Sequence, residues 1–197
     1  LRRLDVAEAF LYGIAPLSDA GKLSGLLFQF PQSFKNTRQN RRWVARTARA
    51  FQGYRTAVEF RDRSWAIQPV YRFLRERGMA LVAVDEPQIS TLFPRLGVRT
   101  SNTAYVRFHS RNDACWFGQG KERYDYLYSE AELAEWLPLL DALGEGAGDM
   151  FVYFNNCRAA QAARNAQEMR ELVRRSGLQV REPCLRRPAQ PQQGRLW

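Results

Sequence analysis

Five short apolar runs, each closed by a polar residue, constrain this chain more than any other feature. They are Leu26 to Phe30 (LLFQF), Thr56 to Arg61 (TAVEFR), Ala80 to Val84 (ALVAV), Ala104 to His109 (AYVRFH) and Met150 to Phe154 (MFVYF). Runs this short and this apolar read as strands, and the uninterrupted ones suit strands buried on both faces, as in parallel sheets covered by helices. Helical patterns separate them and no tight hairpin signal joins them, so the order predicts a parallel sheet with right-handed crossovers. Polar residues recur at the C-terminal strand ends: Gln29, Glu59, Asp85, His109 and Asn155. A β/α barrel collects its functional residues from several strand ends, whereas a doubly wound sheet concentrates them at one switch point, usually with a Gly-rich turn. Neither G-x-G-x-x-G nor G-x-x-x-x-G-K-[ST] occurs, so there is no nucleotide-cofactor motif. The expected fold is α/β, a TIM-type (β/α) barrel with about five of its eight strands present. The first residue is Leu1, and the expectation is a barrel incomplete at its N-terminus.

The segments between the strands carry recognisable helix signals. Leu4 to Leu11 reads as the end of a helix closing near Gly13 and Pro16. In Thr37 to Gly53, at about 100° per residue, Arg38, Arg41, Arg42, Arg46 and Arg49 share one side, with Trp43, Val44, Ala48 and Phe51 opposite. Pro69 suits the first turn of a short helix ended by Gly78. Pro87 opens a helical segment to Leu96. Ser129 and Glu132 form a capping box, and Pro138 inside the following helix predicts a kink. The closing helix, Arg158 to Arg175, is expected to bury Ala162, Ala166, Met169 and Val173. Residues 1–182 therefore form one partial barrel domain, and the run after Pro183, with no periodicity, reads as a basic disordered tail over 183–197.

The stretch AYVRFHSRNDACWFGQGKERYDY, Ala104 to Tyr126, holds the densest chemistry. Alternation puts Tyr105, Arg107 and His109 on one face of its strand and Val106 and Phe108 on the other. The same rule puts Glu59 and Arg61 opposite Val58 and Phe60. Ionisable groups on an inner strand face are costly unless paired or placed at an end that a ligand reaches. The candidate catalytic residues are Glu59, Asp85 and His109, with either carboxylate as general base and the imidazole as acid or ligand. The candidate substrate-binding residues are Arg61, Trp65, Arg107, Trp116, Arg123, Tyr124, Tyr126 and Asn155: arginines for a phosphate or carboxylate, aromatic faces for a base or sugar. Each has a plainer reading. Glu59 with Arg61 or Arg107 makes a buried ion-pair network, His109 a hydrogen-bonded core residue, Trp116 and Tyr124 loop anchors, and Asn155 with Asn156 a helix cap.

The net charge is +10, carried almost wholly by arginine. Such a balance favours polyanions by counterion release, and equally describes a solvated basic surface. The three cysteines are far apart, which argues against a disulfide framework and a zinc-thiolate site. His109 is the one histidine, so a multi-histidine metal cluster within the chain is excluded by count. An oxygen-ligand site for magnesium or manganese through Glu59 and Asp85 stays open, and the metal is otherwise unknown. No apolar run approaches the roughly 18 residues that span a bilayer, so the expectation is a cytoplasmic protein with no membrane partner.

Several of these strings together resemble one family. VEFRDRSW at Val58 to Trp65, YVRFHSR at Tyr105 to Arg111, RYDYLYS at Arg123 to Ser129, YFNN with the later ARNA at Ala163 to Ala166, and LLFQFPQSF at Leu26 to Phe34 look like the YecE-like family of uncharacterised proteins, domain of unknown function seventy-two. The resemblance implies a TIM-type barrel and further N-terminal strands. The family usually carries glycine after the histidine, where this chain has Ser110. It transfers a pocket and not a reaction. Three functions are expected to compete: a hydrolase on a phosphoester or nucleic-acid substrate at the C-terminal barrel mouth, a non-catalytic nucleic-acid binder, and an enzyme on a small anionic metabolite.

Overall fold

A computed structural model of the chain describes residues 4–118, 121–178 and 180. The expected tail over 183–197 lies outside the described residues. The elements follow in the order α1 (Leu4–Asp19), β1 (Leu26–Gln29), α2 (Arg38–Ala50), β2 (Thr56–Glu59), α3 (Gln68–Arg75), β3 (Ala80–Asp85), β4 (Thr103–Phe108), α4 (Glu130–Ala134), α5 (Leu137–Gly144), β5 (Asp149–Phe154) and α6 (Gln161–Arg175). The strands form one five-stranded sheet in sequence order, β1-β2-β3-β4-β5, and every pairing is parallel.

The sheet curls into a half-barrel. In a flat sheet β1 and β4 would lie three strand spacings apart, about 14 Å, yet Arg107 on β4 donates to Gln29 Oε1 on β1 at 2.7 Å. Below, Arg55, just before β2, reaches Asp149 on β5 at 2.9 Å. Register sorts the side chains. Gln29, Glu59, Val84, Arg107 and Tyr153 share the concave face, while Val58, Leu81, Ala83, Val106 and Phe108 point outward under the helices. The outward residues build two cores. One joins Val44, Val58, Phe60, Trp65, Tyr71, Leu74 and Leu81; the other joins Val106, Phe108, Tyr128, Leu133, Trp136, Leu140 and Met169.

Local signals that close their own hydrogen bonds are found where expected. Thr37 caps α2 by accepting from the Asn40 amide, and the Ser129–Glu132 capping box is complete. The chain breaks between α4 and α5 around Trp136, with Pro138 in the first turn of α5. Arg38, Arg41, Arg42, Arg46 and Arg49 are all exposed on α2.

Other expectations are corrected. α1 does not close at Pro16 but runs to Asp19, with the proline inside it. Pro87 to Leu96 is not helical. Its backbone is spent on the segment after β2: Phe93 N–H donates to Arg61 O at 3.0 Å and Thr91 O accepts from Arg63 N–H at 3.1 Å, which buries Leu92 and Phe93. A helix there would need the same groups. α6 starts at Gln161, after a tight turn in which Ala159 and Ala160 have positive φ. It buries Asn165, Met169 and Leu172, and Ala166 is exposed. The Asn165 amide explains the rotation, because it accepts from the Tyr128 N–H at 3.0 Å and donates to the Tyr128 carbonyl at 2.8 Å. Asn155 and Asn156 do not cap this helix, since Ala160 occupies the N-cap.

Candidate functional site

β2 ends on Glu59 and β4 runs on past its last pair into His109; both side chains are fully buried on the concave side. His109 Nε2 lies 3.1 Å from Glu59 Oε1. Its Nδ1 lies 3.3 Å from Arg61 Nη2 and 3.3 Å from Asn155 Nδ2. A guanidinium can only donate, so Nδ1 is the acceptor and the proton sits on Nε2, donated to Glu59. Glu59 also accepts from Arg107 Nη1 at 2.6 Å. Arg61 Nε stands 2.7 Å from Glu59 Oε1 but aims its N–H elsewhere, so this contact is an ion pair and not a hydrogen bond.

Arg61 is shared. Its Nη1 donates at 2.6 Å to Oε2 of Glu86, the residue after β3, whose other oxygen is buried without a partner. Two carboxylates thus compete for one guanidinium. The consequences follow from burial and charge. For Glu86 burial dominates, and with Glu59 nearby it outweighs Arg61 and holds the carboxyl up at about 7. For Glu59 burial is outweighed by the His109 hydrogen bond, with Arg61 and Arg107 adding to it, and the carboxyl falls to about 2. Burial also pushes His109 down to about 4, despite the Glu59 hydrogen bond, with Arg61 and Arg107 repelling its charged form. At neutral pH the imidazole is uncharged.

The loop after β4 covers this cluster. Trp116 is buried with its ring 5.8 Å from the Arg61 guanidinium, Arg123 lies 5.4 Å above Trp116 and 5.9 Å from Tyr124, and the Tyr124 ring is 6.4 Å from His109. The cluster opens on the concave face, where Tyr105 and Tyr153 stack at 5.3 Å beside Arg107 and Gln29. A small cavity further along the same face is lined by Leu26, Arg55 and Phe151 together with the Tyr105–Tyr153 stack.

The structure therefore brings Glu59, Arg61, Arg107, His109, Trp116, Arg123, Tyr124 and Asn155 together and places three named residues elsewhere. Asp85 points outward, the parity opposite to Glu86, and is held by Tyr128 Oη at 2.9 Å, Trp136 Nε1 at 2.6 Å, both Arg111 Nε and Nη2 at about 3 Å, and Arg95 Nη2 at 3.2 Å. It shares no space with Glu59, so the two cannot ligate one magnesium or manganese ion. Tyr126 belongs to the same outer group, with its hydroxyl donating to Glu132. Trp65 is stacked between Phe34 and Phe60 and donates to the Phe34 carbonyl at 2.6 Å, far from the concave face. Glu86 was missed. ALVAV is apolar on both faces, so alternation had no contrast from which to tell which of two successive acids turns inward. Among the described residues no group of three or more His, Cys, Asp or Glu side chains is arranged to hold a metal ion, and no helix is long and apolar enough to cross a membrane.

Comparison with known proteins agrees with this architecture. The chain is 33% identical over 192 residues to the UPF0759 protein YunF of Bacillus subtilis, covering 90% of this chain and 68% of that protein. It superposes on the crystal structure of a DUF72 family protein from Thermotoga maritima with a TM-score of 0.83 at 39% identity, over 87% of this chain and 66% of that one. A second DUF72 family protein, from Enterococcus faecalis, gives 0.80 at 30% identity over the same shares. The chain thus spans about two thirds of the length of these relatives. The profile described as "Protein of unknown function DUF72" matches residues 2–193, and on these grounds the chain belongs to the DUF72 family.

Proposed function

We propose that the C-terminal end of the sheet binds a small anionic molecule, a phosphoester or a carboxylated metabolite, between Arg61 and Arg107, with the Glu59–His109 pair orienting the two guanidiniums. One observation carries this reading: a buried, oriented Glu59–His109 pair sits between Arg61 and Arg107 at the strand ends of a curled parallel sheet. Glu59 holds the imidazole in one tautomer, and Nδ1 accepts from Arg61 and Asn155, so both ring nitrogens serve to orient the site. Arg107 faces the open concave side beside the Tyr105–Tyr153 stack, the arrangement that recognises an anion attached to a ring. In parallel β/α barrels the C-terminal strand ends form the mouth where such residues act, which supports the reading. Hydrolysis of a phosphoester is one reaction such an anion site serves, with a water entering as the nucleophile and Trp116, Arg123 and Tyr124 covering the bound group. A thermal-shift screen with small phosphates and carboxylates tests the reading. A ligand should raise the melting temperature of the native chain and not of Arg107→Ala; equal shifts in both would sink it.

A second reading rests on α2. Its five exposed arginines, with Arg77 in the turn after α3 across a cleft from Arg46 and Arg49, form a basic stripe suited to a nucleic-acid backbone. Affinity for a nucleic-acid duplex should then fall steeply between about 50 and 200 mM salt. A flat dependence removes this reading.

A further inference from the structure

Charge counting at the inner cluster leaves one group unexplained. Arg61 and Arg107 bring two positive charges, Glu59 one negative, and His109 accepts at Nδ1 and is neutral. Only an ionised Glu86 balances the cluster, yet Glu86 is fully buried, has one oxygen without a partner, and shares its sole guanidinium with Glu59. A buried carboxylate with an unpaired oxygen is costly, and taking up a proton removes most of that cost. Proton uptake would also leave Arg61 to Glu59 alone. Glu59 would then need Arg107 less, and the surplus charge would appear at Arg107, on the open face.

We infer that Glu86 is the proton-exchanging group of this site, and that its protonation turns the Arg61–Arg107 cluster from neutral to cationic and so admits a small oxyanion. The inference rests on the anion-site reading above and adds a condition to it: one proton enters with the ligand. The groups facing Glu86 are consistent with this. Arg61 and Glu59 face it from the end of β2, His109 lies across Arg61 from β4, the covering loop brings Tyr124 to Arg61, and the Phe93 N–H of the loop after β3 stands near it while donating to the Arg61 carbonyl. The carboxyl is held up near neutrality by the same burial and the same neighbour, Glu59. Glu86 thus differs from Glu59, which keeps its charge, and from Asp85, whose oxygens are all engaged by donors.

Sulfate is the probe, because its own charge is constant across the range. Its affinity for the full chain would be measured by calorimetry at pH 6 and pH 8.5 at one ionic strength, in native protein and in Glu86→Gln. The expected result is binding about tenfold weaker at pH 8.5 for native protein, with up to one proton taken up per sulfate. In Glu86→Gln, whose amide cannot ionise, the affinity should be the same at both pH values. Equal pH dependence in both proteins, or none in either, overturns the role of Glu86 and leaves the anion site standing. No sulfate binding at pH 6 removes the anion site and overturns the coupling with it. The carbon-detected titration of the Glu86 carboxyl in ligand-free native protein needs no variant to fold. A midpoint near neutrality supports the inference, and a midpoint in the ordinary glutamate range overturns it.

Discussion

Two buried acidic residues adjacent in sequence, Asp85 and Glu86, end up in opposite situations. Asp85 faces the helices and is surrounded by donors from three directions: Tyr128 and Trp136 from the α4–α5 region and the two arginines Arg95 and Arg111. Arg111 in turn is anchored by Glu135, and its own pKa is pushed up, burial being outweighed by Asp85 and Glu135. Tyr128 is likewise pushed up, first by burial and then by the Asp85 charge, so its hydroxyl stays a donor. Glu86 faces the concave side with one shared arginine and one idle oxygen. A saturated carboxylate behaves as a structural rivet, holding the start of the covering loop to α4. An undersatisfied one keeps a proton equilibrium, which is what a binding site can use.

The largest effect expected from this contrast comes from Asp85→Ala. It leaves Arg111 without its main partner, takes from Arg95 one of its two carboxylates and strands the buried Trp136 and Tyr128 donors, at a cost of roughly 3–5 kcal/mol in urea unfolding. Glu86→Gln should cost far less at neutral pH, and a comparable loss from both would erase the distinction between rivet and proton carrier.

The pH dependence of stability sharpens the comparison next. His109 is lowered to about 4, so the unfolded chain holds the extra proton between pH 4 and 6.5, and stability rises with pH across that window. Glu86 is raised to about 7, so the folded chain holds the extra proton between pH 4.5 and 7, and stability falls with pH there. Their slopes oppose each other from pH 4.5 to 6.5. Glu59, lowered to about 2, adds stability that is fully present above pH 4.5 and lost below it. The native chain should therefore be nearly flat from this cluster between pH 5 and 6.5, whereas Glu86→Gln uncovers the His109 slope, roughly 1 kcal/mol per pH unit. Denaturant midpoints across that range provide the measurement, and parallel profiles in the two proteins would contradict the assignment.

The smallest effect is expected at Arg107. Glu59 keeps His109 and Arg61 when Arg107 is removed, so Arg107→Ala should lower stability by only about 1 kcal/mol. A loss as large as that of Asp85→Ala would make Arg107 a brace of the curled sheet and not a residue spared for a ligand.

Much of this molecule was legible because its signals are local. The five strands, the arginine face of α2, the capping box at Ser129 and the break at Pro138 each depend on neighbours within a few residues. Alternation on β4 separated Arg107 and His109 from Val106 and Phe108 because that strand carries polar contrast. β3 carries none, and so the sequence pointed to Asp85 where the concave face holds Glu86. Tyr126 and Trp65 read as pocket aromatics for a related reason: an aromatic side chain suits a ligand and a core equally, and only partners distant in sequence, Glu132 for one and the Phe34–Phe60 stack for the other, decide between them.

By itself, then, the sequence determined the element types and their parallel order, since hydrophobic period and end-capping act over one or two turns of chain. The tertiary structure alone decided which acid turns inward, which face α6 buries and that the segment after β3 is not helical. Those outcomes hang on single long-range pairings: Arg61 with Glu86, Asn165 with Tyr128, and Phe93 with the Arg61 carbonyl. Buried polar groups must find partners wherever the fold brings them, and no local pattern encodes where that will be.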